Sequence, residues 1–225
     1  LACLGMLGAQ ATVHADALDP IRHALSLAIF EQRCDHTIED WEEIAFEHGH
    51  AFITTAPAIL LPELAADLVA LQEAIGKARS DSERRALCGP AGKLSSLVAM
   101  TSSNLGEARQ AMDWWKTARH AADASGDDDL RVLVRGYEAM NALYAQRPLA
   151  IVLRRSDEAL GIAGDGSRSA SMEAMAARAQ ALSRMGRVSD AETAARALED
   201  RYAALPAATA ADRLAGGARI TGHKI

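Results

Sequence analysis

Small and apolar residues recur along this chain at the spacing of helical turns, and no stretch sustains the period-2 alternation of a half-buried strand. After Gly106, offsets of five, nine and twelve residues reach Ala111, Trp115 and Ala118. After Gly186 the same offsets reach Ala191, Ala195 and Leu198. The glycines are 80 residues apart, which suggests two periods of about 40. Midway, Arg147 stands at the glycine position, and its offsets reach Val152, Ser156 and Ala159. Pro148 follows as the first-turn residue of the next helix, where proline is tolerated.

The pattern predicts helices near 18–32, 37–54, 58–77, 91–104, 107–124, 128–145, 148–163, 168–184 and 188–204. Thr37 followed by Asp40 reads as a capping box with Asp in place of Glu or Gln. Thr54-Thr55-Ala56-Pro57 separates the second helix from the third. Gly126 suits a left-handed helix end, and the aspartates after it suit a new start. The stretch 76–92, GKARSDSERRALCGPAG, reads as the longest interruption, and GDGSRS (164–169) reads as a loop. The tail 206–225 loses periodicity and is expected to be flexible.

The glycine, small, large, alanine offsets match those of a tetratricopeptide repeat, a helix hairpin of about 34 residues stretched here toward 40. Glycine allows the tight turn, small residues let the two helices close, and the large residue fills the gap to the next hairpin. A single hairpin buries too little, so at least about three must stack. Trp115 falls at the gap-filling position. Trp114, about 100° round the same helix, is expected to face the adjoining hairpin.

Composition narrows the class. Hydrophobic residues make up 49% and aromatics only 4%. Alanine, the best helix former, supplies much of the apolar count. The net charge of −6 leaves no basic stripe for gripping phosphates. Three cysteines, Cys3, Cys34 and Cys88, are too few and too scattered for a disulfide framework or a cysteine-only zinc site. A reducing, cytoplasmic setting is expected. The opening LACLGMLGAQ is too short for a membrane span, and its lack of methionine suggests cutting or processing. An A-x-A-like Val13-His14-Ala15 lacks the basic region of a secretory signal.

Several tracts together resemble the C-terminal helical domain of actinobacterial helix-turn-helix regulators of the XRE family. They are TIEDWEEIAFEHGHAF, LLPELAADLVALQEAI, DWWKTARHAADASGDDDLRVLVRGYEAM, ALYAQRP and RAQALSRMGRVSDAE. The resemblance covers roughly residues 17–205, with 1–16 similar to the linker that follows the DNA-binding part. It implies an all-α, right-handed α-solenoid of four to five tetratricopeptide-like hairpins that senses a ligand or partner. The chain itself holds no helix-turn-helix unit, so DNA is expected only through a missing N-terminal domain.

Catalytic sets are not evident. His48-Gly49-His50 diverges by about 200° on a helix and cannot share one metal locally. Cys34-Asp35-His36 reads as solvated surface, and no P-loop, dinucleotide fingerprint or GxSxG is present. No catalytic residue, metal site or cofactor is therefore expected. If the first helix of each hairpin lines the inner surface, the repeat register places three rows there. The first holds Lys93, Ser96, Met100, Ser103 and Asn104. The second holds Val134, Tyr137, Asn141 and Tyr144, and the third Glu173, Ala176, Gln180, Ser183 and Arg184. The candidate ligand-binding set is Tyr137, Asn141, Tyr144, Arg135, Met100, Asn104 and Gln180. An amide between two phenols suits a ligand with backbone-like polar groups. Arg135, beside Arg131, suits a carboxylate or a pairing with Asp127–Asp129. Trp41 and His48 either close one end of the groove or pack in the core. The expected effector is a peptide or small metabolite, with no membrane contact. The alternatives are a free-standing scaffold for protein partners or self-association, and a helical enzyme of secondary metabolism.

Overall fold

The computed structural model describes residues 36–164 and 169–204. The helix expected at 18–32, the linker at 1–16, most of the GDGSRS loop and the tail lie outside the described residues. Eight α-helices are described, with no strand among those residues: α1 Ile38–Thr54, α2 Pro57–Lys77, α3 Asp81–Asn104, α4 Ala108–Ser125, α5 Asp128–Tyr144, α6 Leu149–Ala163, α7 Met172–Arg184 and α8 Val188–Ala203. A short 3-10 turn at Ser169–Ser171 leads into α7. No described helix is long and apolar enough to cross a membrane.

Most of the helix ends follow the local chemistry of the sequence. At α1, Thr37 Oγ1 accepts the Asp40 N–H at 3.2 Å while the Asp40 carboxylate accepts the Thr37 N–H at 2.7 Å. Two otherwise unsatisfied donors are thereby met. Pro57 starts α2, where its missing N–H costs nothing. Asp127 caps α5 by accepting from Asp129 and Leu130, just after Gly126 turns left-handed at φ 74°.

The interruption expected over 76–92 shrinks to Ala78–Ser80. Ser80 caps α3 by accepting the Glu83 N–H at 3.0 Å, and the helix runs on through Gly89 and Pro90. Proline inside a helix removes one backbone hydrogen bond and crowds the turn before it. Here the penalty is met by burial, since Leu87, Pro90 and Leu94 are all buried.

Three turns repeat at 40-residue spacing. Gly106, Gln146 and Gly186 have φ of 82°, 53° and 73°. At each, the left-handed residue donates to the carbonyl three back, and the next residue donates to the carbonyl five back. The pairs are Gly106 to Ser103 with Glu107 to Ser102, Gln146 to Leu143 with Arg147 to Ala142, and Gly186 to Ser183 with Arg187 to Leu182. This is a Schellman closure. The middle turn is therefore centred on Gln146, not on Arg147, and it carries one extra residue before α6. Val152, Ser156 and Ala159 are nevertheless buried, as the count from Arg147 expects, because the extra residue restores their phase.

Packing alternates regularly. The hairpins α3–α4, α5–α6 and α7–α8 close on themselves, each second helix also meets the next first helix, and α1, α3, α5 and α7 touch in succession. The α1–α2 pair is looser, with both helices leaning more on α3. Trp41, Leu60, Leu64, Leu71, Leu94 and Trp115 dominate the core of α1–α5. Around α5–α8 the clusters are largely alanine.

Candidate functional site

The three matched turns fix which positions of the first helices are equivalent. Counting back from them aligns Lys93 with Leu133 and Glu173, Ser96 with Gly136 and Ala176, and Met100 with Met140 and Gln180. One turn further on, Asn104 aligns with Tyr144 and Arg184. Helical spacing puts these positions on one face of each helix. Small residues form the middle of that face, and flexible methionines flank it.

Between α1, α3 and α5 the face opens into a narrow cleft. Its walls include Ala45 and Gly49 of α1, Ser96 and Met100 of α3, and Val134 and Tyr137 of α5. About 40 Å³ of it is open to the centre of a water molecule, room for a few waters. The lining is mainly apolar. Lys93, also at the cleft, is held by the carboxylate of Glu42. Ser96 donates its hydroxyl to the Gly92 carbonyl at 2.9 Å, so that side chain is already satisfied.

Tyr137 is 9% exposed. Burial, and secondarily the negative charge of Glu173, push its phenol well above the ordinary range, so it stays neutral. Burial alone pushes the Glu173 carboxyl up. Across from it, Gly136 leaves no side chain, and a Cβ there would lie 3.2 Å from the Glu173 Cβ.

The sequence-predicted residues divide between this face and other places. Met100 and Tyr137 are brought together in the cleft. Asn104 and Tyr144 stand at the exposed end of the face, Tyr144 being 64% exposed. Gln180 lies on the same face of α7, away from the cleft. Asn141 is turned aside: its Oδ1 accepts the Trp115 indole N–H at 3.2 Å. It is the equivalent of Thr101 and Ala181, both buried. The row built from Arg147 is displaced by one residue, and correcting it replaces Val134, Tyr137 and Asn141 with Leu133, Gly136 and Met140, although Val134 and Tyr137 still line the cleft.

Arg135 is also elsewhere. Its guanidinium meets both Asp123 oxygens, at 2.9 and 2.8 Å, and the Arg131 carbonyl at 3.2 Å. Burial raises the Asp123 carboxyl, but hydrogen bonds from Arg135 and Arg131, with their charges, bring it below its usual value. Arg131 adds Asp128 at 2.7 Å, so the expected Asp127–Asp129 partner applies to Arg131, and Arg135 serves the α4–α5 contact. Glu138 similarly joins α4 to α6, taking Arg119 at 2.5 Å and Arg155 at 3.1 Å.

Trp41 is buried in the core, and His48 meets Asp67 of α2 at 2.5 Å. Their small neighbours Ala45 and Gly49 line the cleft instead. Trp115 is buried in the core as its position predicts, and half-buried Trp114 packs on the same core. Among the described residues, no three His, Cys, Asp or Glu side chains gather as a metal site would. No family model, curated protein or solved structure matches the chain.

Proposed function

We propose that residues 37–204 form a tetratricopeptide-like α-solenoid whose chemistry is recognition, with no bond made or broken. The inner face of α1, α3, α5 and α7 takes a peptide or small metabolite, and the domain serves as the sensing half of an XRE-type transcriptional regulator. The observation that carries the recognition reading is the shared face itself. On successive helices Lys93, Leu133, Met140, Glu173, Ala176 and Gln180 stay half-buried, while Ser96, Gly136 and Met100 are buried, and the face opens at the cleft between α1, α3 and α5. Methionine adapts its shape to a guest more readily than branched side chains do. The regulator part rests on the sequence resemblance alone.

A guest that binds two arrangements of the hairpins unequally shifts them by that difference and no more. The narrow cleft fits a resting arrangement that widens on binding. The test is titration of protein carrying ¹³C-methyl methionine with peptide and metabolite fractions from source cells. Saturable shifts of the Met100 and Met140 methyls are expected. Shifts confined to Met112 and Met185, which lie away from the face, would sink the assignment. The regulator part is tested separately by the length of the native product, expected to exceed 225 residues by a small domain.

A further inference from the structure

Glu173 stands apart from the other half-buried acids. Among the described residues, Glu42 meets Lys93, Asp67 meets His48, Asp128 meets Arg131, Glu138 meets Arg119 and Arg155, and Glu158 meets Arg155. Glu83 accepts the Arg79 N–H. No hydrogen bond or ion pair joins Glu173 to a described residue, and burial alone accounts for its raised carboxyl. A carboxylate withdrawn from water without a partner is unfavourable, and a cation that reaches it recovers the lost solvation.

Its place on the fold is equally specific. Glu173 is the α7 equivalent of Lys93 and Leu133, both of which line the cleft. Its negative charge acts on Tyr137, another cleft residue. Lys93, at the other end of this row, is neutralised by Glu42. Arg184, on the same face of α7, gives a hydrogen bond to the Leu143 carbonyl at 3.2 Å. The Arg184 charge is exposed to solvent near the end of α7, so among the described residues Glu173 is the half-buried charge of this face without an ion-pair partner, next to methionines and an apolar cleft.

We propose that the inner face takes a ligand bearing an aliphatic ammonium group, with the ammonium at Glu173 and the alkyl part along Met140 and Met100 toward the cleft. This rests on the reading of the inner face as a recognition surface and adds the chemistry of its guest. Gly136 is covered by α7, so the alkyl part runs beside it, along the half-buried Met140 toward Met100 at the cleft. An ammonium suits the site because it is a compact point charge whose N–H donors can reach the carboxylate from several directions.

The probes are n-hexylammonium and n-hexanol, which share a chain and differ in charge. Each is titrated at pH 7 into methyl-methionine-labelled protein, wild type and Glu173→Gln. Both probes are expected to shift Met100 and Met140, with hexylammonium binding about tenfold more tightly than hexanol in the wild type. In Glu173→Gln, which is nearly isosteric and expected to stay folded, the two probes are expected to bind alike. Equal affinity in the wild type, or a preference that survives in the variant, overturns the ammonium assignment while leaving the recognition surface standing. If neither probe shifts Met100 or Met140, the recognition reading falls and this inference with it.

Discussion

Around α1–α5 the stack is closed mainly by large side chains, and around α5–α8 mainly by alanine, with Leu143, Val152 and Leu182 among it. Trp41, Leu60, Leu64, Leu71 and Trp115 fill the first region. In the second, Ala139, Ala159, Ala174, Ala177 and Ala181 are buried while the helices come close. The two cores are vulnerable in opposite directions. A core of large side chains fails when volume is removed, because the neighbours collapse only partly into the gap. A core of small ones fails when volume is added.

Trp115→Ala gives the largest expected effect, a loss of about 3–5 kcal/mol, read from urea unfolding. It empties a site in the core cluster that α4 shares with its neighbours, and it removes the indole donor from the Asn141 Oδ1. A loss below about 1 kcal/mol would mean that the region tolerates truncation and that the contrast is wrong.

Gly136→Ala tests the other region. Alanine is the better helix former by about 1 kcal/mol, so an unconstrained site would gain. A Cβ at Gly136, however, would sit 3.0 Å from the Ala174 backbone nitrogen, and backbone yields only if α7 moves. A net loss of about 1–2 kcal/mol is expected. Gly92→Ala is the control in the first region. Its Cβ would meet the Ala122 nitrogen and the Leu130 Cδ2, each at 3.3 Å, so the neighbours need give by only a few tenths of an ångström, less than at Gly136. The substitution is expected to lie within about 0.5 kcal/mol of neutral. Equal effects at both glycines would erase the distinction.

Asn141 sharpens the contrast from the polar side. Its amide belongs to the packing of Trp115, so Asn141→Ala is expected to cost about 1–2 kcal/mol of stability by leaving a buried indole N–H unmet. Binding at the inner face should change little beyond that. Weakened ligand affinity with unchanged stability would return Asn141 to the binding set.

These residues also show what the sequence made legible. Helix ends with local chemistry, such as Thr37 with Asp40 and Gly126 with Asp127, could be read directly, because the donors and acceptors lie within a few residues. The position of Trp115 followed from helical spacing. The continuation of α3 through Pro90 could not be read, since it depends on burial by other helices, which outweighs a local breaker. Asn141 was misplaced for a different reason. Val152, Ser156 and Ala159 set the phase of α6, but an extra residue in the turn separates that phase from α5. A single offset cannot serve both helices. Tyr137 was reached from the displaced row, and Met100 from a row that needed no change. Glu173 was in the correct row, but its lack of a partner emerges only from the folded arrangement.

Gln146 provides a smaller test within the turns. It holds φ 53°, where a side chain crowds the following carbonyl and glycine does not. Gly106 and Gly186 do the same work without that cost. Gln146→Gly is expected to stabilise by about 1 kcal/mol, raising the urea midpoint with an unchanged slope. Glycine substitution at neighbouring Ala145, which is not left-handed, should destabilise. A loss at Gln146 would mean that its side chain makes a contact worth more than the strain.

The last test bears on Glu173, and its sign depends on pH. Burial raises the native carboxyl above its unfolded value, so the native state holds the proton more tightly than the unfolded chain does. The favourable contribution is present in full below the unfolded pKa and disappears as pH rises through the native one. Above the native pKa both states are ionised, and the native state carries the penalty of a half-buried carboxylate. Glu173→Gln removes that penalty, so the variant is expected to be the more stable of the two above the native pKa. Its advantage should shrink as pH falls through the native pKa toward the unfolded one. Urea midpoints of both proteins across that range read the difference. A gap that stays constant with pH would show that the carboxylate is already compensated at neutral pH, which would leave an incoming ammonium nothing to relieve.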